Sequence, residues 1–296
     1  MTTAISALPQ AALGHTGELV PTLGLGTAPG GMGLPDEEAI ALFDLAIDLG
    51  VTYIDTAPGY QRAQRQLSHV IPQRRDELFL VTKAPEETAA GLLDSLQQSL
   101  EALQADHVDL IYIHSLGHRD VDRILAPDGA LRGLLQAKER GLARFIGFTA
   151  HHMPWKSVRL LEEAGNELDA TMLALNFADR HVYNFQQEVV PLAREKGLGV
   201  AAMKVYGGGR DMKYEEPSPS ALAIHGYHDH QTALRYALGL EGVDLAVVGV
   251  YNEAELRQNI DWVQNYQPLS EEERTALEET GRPIAEKWGE HFGALR

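Results

Sequence analysis

The sequence predicts an α/β fold, a (β/α)8 TIM barrel with an N-terminal β-hairpin and extra C-terminal helices, as one domain over residues 1–296. Strand-like and helix-like segments alternate roughly eight times, and such a series needs a parallel sheet with helical crossovers. No compositional shift marks a linker along the way. Closure removes both sheet edges and brings the C-terminal strand ends to one mouth. An open doubly wound sheet is the alternative. It would want a Gly-rich phosphate turn after an early strand, and Gly24-Leu25-Gly26 lacks a third glycine at the right spacing.

Taken in order, Ala11 to Gly26 reads as a hairpin running into a first buried strand at Leu23-Gly24-Leu25-Gly26-Thr27. Pro29 to Gly33 reads as loop. Asp36-Glu37-Glu38 then opens a helix with Ile40, Phe43 and Ile47 on one face, closed by Gly50. Thr52-Tyr53-Ile54 favours strand and meets a carboxylate at Asp55. Strands follow at Leu78–Lys83, Val108–His114, Phe145–Phe148, Thr171–Leu175, Val200–Met203 and Leu245–Val250. The helices between them are striped, as at Leu92, Leu96, Leu100 and Leu103. One helix is expected from Phe185 to Lys196, one from Gln231 to Leu240 and one from Glu253 to Val263. Two more occupy Ser270 to Phe292.

The chain is 44% hydrophobic and 23% charged, as expected of a globular protein, and it contains no cysteine. Disulfides, thiolate catalysis and cysteine-ligated metals are therefore excluded. The net charge of −17 argues against a nucleic-acid partner, which needs a basic footprint, and against an anionic membrane surface. Met1 to Gln10 lacks the basic start and apolar core of a signal peptide, and no apolar run reaches transmembrane length. A cytoplasmic protein is expected.

The chemistry gathers at strand ends. Ile54-Asp55, Val81-Thr82-Lys83 and Tyr112-Ile113-His114 each close an apolar run with an ionisable residue. In a barrel these three meet at one mouth, with Tyr60 delivered by the loop after Asp55. Taken singly, each has a structural explanation: a cap, a snorkelling lysine, a hydrogen-bonded histidine. Together they form a proton relay. A phenol titrates too high for neutral pH, an adjacent ammonium favours its anion, and a carboxylate keeps that ammonium charged. His114 would hold a substrate oxygen. Such a relay to a carbonyl or alcohol oxygen needs a hydride partner.

These residues, with Ser99-Leu100-Glu101-Ala102-Leu103, Arg144-Phe145-Ile146-Gly147 and the closing Tyr251-Asn252-Glu253 to Asn259, make nearly the whole chain resemble the aldo-keto reductases. The resemblance implies a (β/α)8 barrel that transfers hydride between a nicotinamide dinucleotide and a carbonyl. It makes Tyr60 the general acid, tuned by Lys83 and Asp55, with His114 orienting a small-molecule carbonyl or alcohol. It implies dinucleotide contacts at Gly26, Thr27, Asp55, Thr149, Asn176, Met203, Lys204, Gly249, Tyr251, Asn252, Glu255 and Asn259. A dinucleotide-binding regulatory subunit with little turnover is the rival reading.

Several positions depart from the family pattern. The Ser-Asn that holds the carboxamide resembles Thr149-Ala150 here, so one hydroxyl survives and the amide is lost. Met203 replaces the aromatic that stacks on the nicotinamide, and a thioether can still pack a ring face. After Tyr60 the usual Gly, Ser and Glu are Gln61, Ala63 and Gln64, which questions the local loop shape. Where a Lys-Ser pair and an arginine would grip a 2′-phosphate stand Gly249, Val250 and Glu255. NAD(H) is therefore the expected cofactor, with NADP(H) the alternative. The loop from Tyr206 to Asp229 is expected over the substrate opening. The run His225, His228, Asp229 and His230, with His151-His152 elsewhere, suits a metal less well than a lid or a solvated loop with Asp229 as a helix cap; no metal is expected.

Overall fold

The structure, a computed structural model, describes residues 7–209 and 213–296. Two short antiparallel strands come first, β1 (Gln10–Ala12) and β2 (Leu19–Pro21). Then come β3 (Leu23–Gly26), β4 (Tyr53–Asp55), β5 (Phe79–Ala84) and β6 (Val108–Ile113). Next are β7 (Ala143–Ala150), β8 (Ala170–Ala174), β9 (Gly199–Met203) and β10 (Leu245–Val248). From β3 onward each strand pairs in parallel with the next, and β10 returns to β3 to close the barrel. The open doubly wound alternative is thereby overturned.

Two cores result. Leu, Ile and Ala side chains from the outer strand faces pack against the helical shell. A smaller cluster fills the barrel, including Tyr53, Phe79, Val81, Leu110, Tyr112, Met172, Met203 and Val247. Leu13 and Val20 join this inner cluster, so the hairpin stoppers the N-terminal end. His15 donates its backbone N–H to Gly197 O just before β9, fixing the stopper in place.

Three segments differ from the sequence expectation. Ala28–Gly33 is a short helix with Pro29 in its first turn, where no backbone donor is needed. A Cβ at Gly31 would lie 2.4 Å from that of Ala63 and 2.6 Å from Tyr60 O, so the glycine lets this helix press on the Tyr60 loop. The helix expected over Phe185 to Lys196 is two, Phe185–Glu188 and Val190–Glu195, because Pro191 has no N–H to continue the ladder. Conversely, Glu271–Trp288 is one helix that runs through Pro283. It opens on a reciprocal capping box between Ser270 and Glu273.

Candidate active site

Strand parity aims the reacting groups. Side chains two apart share a face, and Tyr53 on β4, Phe79 and Val81 on β5, and Leu110 and Tyr112 on β6 all point into the barrel. Asp55, Lys83 and His114 are the next residues of the same parity, where the strands give out at the C-terminal mouth. Lys83 is 1% exposed and Asp55 3%. Lys83 Nζ donates to both Asp55 carboxylate oxygens, at 2.7 and 2.6 Å, and to Thr56 O at 3.1 Å. It also donates to the Tyr60 hydroxyl at 3.2 Å. The Tyr60 ring meets His114 edge-on, with centroids 6.1 Å apart.

Tyr60 reaches this point because its loop is held on both sides. Its N–H donates to Ala57 O, and the following helix, Ala63–Leu67, is tied down by Gln64, which donates to the hydroxyls of Thr82 and Ser99. Gln61, where the family pattern has glycine, itself takes a left-handed backbone at φ 49°. An exposed side chain there carries the strain, of order 1–2 kcal/mol.

Burial decides the protonation states. It lowers Lys83, but Asp55 and the Tyr60 oxygen outweigh it, and the ammonium titrates above its ordinary range. Burial raises the Tyr60 hydroxyl; Lys83 opposes this without cancelling it, so the phenol titrates above its ordinary value. A net lowering by lysine, expected from the sequence, is therefore not the outcome. His114 is pushed down to about 3 by burial, Lys83 and Arg119. It is a neutral imidazole throughout the physiological range.

A cleft of about 450 Å³ opens beside this group, from Asp55, Tyr60 and His151 past Met172, Met203 and Lys204 to Glu255, Asn259 and Trp262. Both thioethers flank its reacting end. Gly26, Gly249 and Tyr251 line it, as does Lys204, which holds a left-handed backbone at φ 57°. Lys204 Nζ donates to the Tyr214 hydroxyl at 2.6 Å. Residues of the 206–229 loop therefore lie along the cleft from Tyr206 through Tyr214 to Ser220, and Tyr251 donates to Tyr214 O from the opposite wall. The loop thus lines the cleft and reaches the Glu255 end through Tyr251; Asp211, within it, lies outside the described residues. His230 joins the lining, with Nε2 2.8 Å from Ser220 Oγ, while His225 stacks edge-on against Trp288. Asp229 caps the helix His230–Leu238. Among the described residues no group of His, Asp and Glu is placed to hold a metal ion.

Other residues expected at the dinucleotide make hydrogen bonds within the protein. Thr149 is fully buried, off the cleft, and its hydroxyl accepts from the Ser115 N–H. Thr27 is also buried and donates to Asp55 O. The Asn176 amide donates to Asp179 and to Lys204 O and accepts from the Ala178 and Asp179 N–H groups. Asn252 caps the helix Glu253–Gln264 and donates to Glu255. Glu255 also accepts from the Tyr251 N–H at 2.8 Å. Asn259 accepts from the Tyr206 hydroxyl.

The sequence drew attention to His151 only with His152, as histidines lying apart from the His225–His230 run, and not at the mouth, although parity could have placed it there. Gly147, Thr149 and His151 continue the inward series of Phe145 along and past β7. His151 lines the cleft beside Tyr60.

A barrel with a buried Tyr-Lys-Asp relay at its mouth and a long cleft beside it defines a class of oxidoreductase. Residues 22–282 match the model of the aldo/keto reductase family, and the chain belongs to that family. It is 26% identical to pyridoxal 4-dehydrogenase of Microbacterium luteolum, over 91% of this chain and 96% of that one. It is 32% identical to methylglyoxal reductase DkgA of Salmonella typhimurium, over 71% and 76%. The holo form of aldo-keto reductase AKR11C1 from Bacillus halodurans shares the fold, with a TM-score of 0.75 at 21% identity over 92% of this chain and 96% of that one. The protein is thus a nicotinamide-dependent oxidoreductase that interconverts a carbonyl and an alcohol.

Proposed function

We propose that this single-domain chain reduces an aldehyde or ketone, and oxidises the alcohol in reverse, with Tyr60 as general acid and base and with NAD(H) preferred. The observation that carries the mechanism is the contact of Lys83 Nζ with both Asp55 and Tyr60 at the edge of the cleft. The dinucleotide supplies the hydride. Tyr60, held neutral by burial, gives its hydroxyl proton to the carbonyl oxygen as carbon is reduced. Lys83, kept charged by Asp55, stabilises the phenolate that remains. His114, neutral, donates a hydrogen bond to the same substrate oxygen. In oxidation the phenolate takes the alcohol proton back.

The cleft fits a dinucleotide. Met203 and Met172 offer soft surface for the nicotinamide at the reacting end, and Lys204 is the one lysine or arginine among the described lining residues, suited to the pyrophosphate. The preference for NAD(H) rests on the far end. The carboxylate of Glu255 occupies the first turn of the helix Glu253–Gln264, the place where an anion would otherwise bind. A 2′-phosphate there would meet a like charge, whereas a ribose 2′-hydroxyl can donate to a free lone pair of Glu255. Packing keeps a cation away from Gly249, since a Cβ there would lie 2.6 Å from Pro29 Cγ. Arg257 points elsewhere and binds Glu253 at 2.6 Å.

Measured kcat/KM with NADH and with NADPH on a panel of aldehydes and ketones tests this reading. Turnover with a clear NADH preference is expected. A preference for NADPH removes the Glu255 argument, and absence of turnover with either favours the regulatory reading. Among the described residues no helix is long and apolar enough to cross a membrane, and a cytoplasmic location is proposed with the rest.

A further inference from the structure

The mouth of the cleft holds a second imidazole that the proton relay does not use. His151 follows β7 at the parity that points inward, and it lines the cleft together with Tyr60 and Asp55. Its position is built from two sides. Ser115, after β6, takes a left-handed backbone at φ 55°, and its N–H is anchored on Thr149 Oγ1 at 2.9 Å. That turn places Ser115 Oγ 3.4 Å from His151 Nδ1. From the C-terminal side the buried Phe292 ring packs against the imidazole, with centroids 5.8 Å apart and planes at 62°. Phe292 is itself held by its N–H, which donates to the Tyr183 hydroxyl at 2.9 Å. Among the described residues no protein group pairs with His151 Nε2.

We propose that His151, set by Ser115, binds a hydroxyl on the carbon next to the reacting one, so that the preferred substrates are α-hydroxy carbonyls and, in the reverse direction, the vicinal diols they form. This rests on the Tyr60 mechanism above and names the substrate class of the same site. An imidazole with one nitrogen paired to a serine hydroxyl presents the other as donor or acceptor, according to tautomer. A hydroxyl can answer either form, whereas a methylene leaves a polar group at the cleft wall unpaired. Burial and the nearby Lys204, His114 and His152 hold the ring neutral, which suits a hydroxyl rather than a carboxylate. The relay already provides for the reacting oxygen through Tyr60 and His114. His151 therefore remains for a second oxygen.

The test compares 2-hydroxypropanal with propanal, which differ by one hydroxyl, in kcat/KM with whichever of saturating NADH and NADPH gives the higher turnover. His151→Phe is expected to lower the ratio of 2-hydroxypropanal to propanal by about 10-fold, carried mainly in KM. His151→Gln, which keeps a donor and an acceptor, should restore most of the ratio, and Ser115→Ala should lower it a few-fold. A ratio that moves less than threefold in His151→Phe overturns the proposal, as does an equal loss with His151→Gln. Should wild type reduce neither aldehyde, the Tyr60 mechanism fails first and this inference falls with it. Reduction of propanal alone sinks only the assignment of His151.

Discussion

The mouth of the barrel and the arm of the cleft that ends at Asn259 are built by opposite means. At the mouth, Asp55 and Lys83 stand on strands, are almost wholly buried, and are aimed by the same alternation that fills the barrel with Tyr53, Val81 and Tyr112. Along the arm the groups come from a loop and a helix start. Lys204 meets Tyr214, Tyr206 meets Asn259, and Glu255 is exposed and held by Tyr251 and Asn252. The mouth tolerates little change because each of its groups satisfies another in low dielectric. The arm can exchange one side chain for another and alter which dinucleotide fits. On the proposed reading, chemistry is fixed by the sheet, and cofactor choice by replaceable side chains.

Breaking the mouth should cost most. Lys83→Met leaves Asp55 buried without its cation, and a loss of about 3–5 kcal/mol is expected, read as a lower Tm in calorimetry. A Tm within a degree or two of wild type would mean that the pair is not essential to the folded mouth. At the arm, Glu255→Arg replaces repulsion with a charge-assisted contact to a 2′-phosphate. It should move the NADPH-to-NADH ratio of kcat/KM upward by roughly 10–100-fold, with little change in Tm. An unmoved ratio would show that Glu255 does not face that phosphate. The smallest effect is expected between the two regions, at the exposed Gln61. Gln61→Gly relieves the left-handed backbone at some cost in chain entropy, for a net gain of about 0.5 kcal/mol in urea unfolding. A loss instead would mean that the Gln61 side chain supports the Tyr60 loop.

Legibility followed the same division. The eight strands and the set Asp55, Tyr60, Lys83 and His114 were readable because period-two patterning and strand ends are properties of the sequence itself. The helix Ala28–Gly33 was not, since Pro29-Gly30-Gly31 has poor helix propensity and is justified only by close packing on Ala63 and Tyr60. The hydrogen bonds of Asn176 to Asp179 and Lys204, and of Thr149 to Ser115, are tertiary facts that no spacing announces. The clasp of Lys204 on Tyr214 is of the same kind. His151 could have been read from parity, but the strand looked finished at Phe148, and β7 in fact continues to Ala150.

The central claim, that the mouth does the chemistry while the arm holds the dinucleotide, is tested most directly by Tyr60→Phe, measured for turnover and for dinucleotide dissociation constant by fluorescence titration. The hydroxyl is removed and the ring that packs beside His114 is kept. Carbonyl reduction should fall by about 10²–10⁴-fold, while the dissociation constant stays within roughly threefold of wild type. In wild type, kcat/KM for reduction should be level across neutral pH and fall only as Tyr60 ionises, above its ordinary value. His114, with its pKa near 3, should add no acid limb near neutrality. A Tyr60→Phe enzyme that reduces within threefold of wild type, or one that loses the dinucleotide together with turnover, would contradict the account.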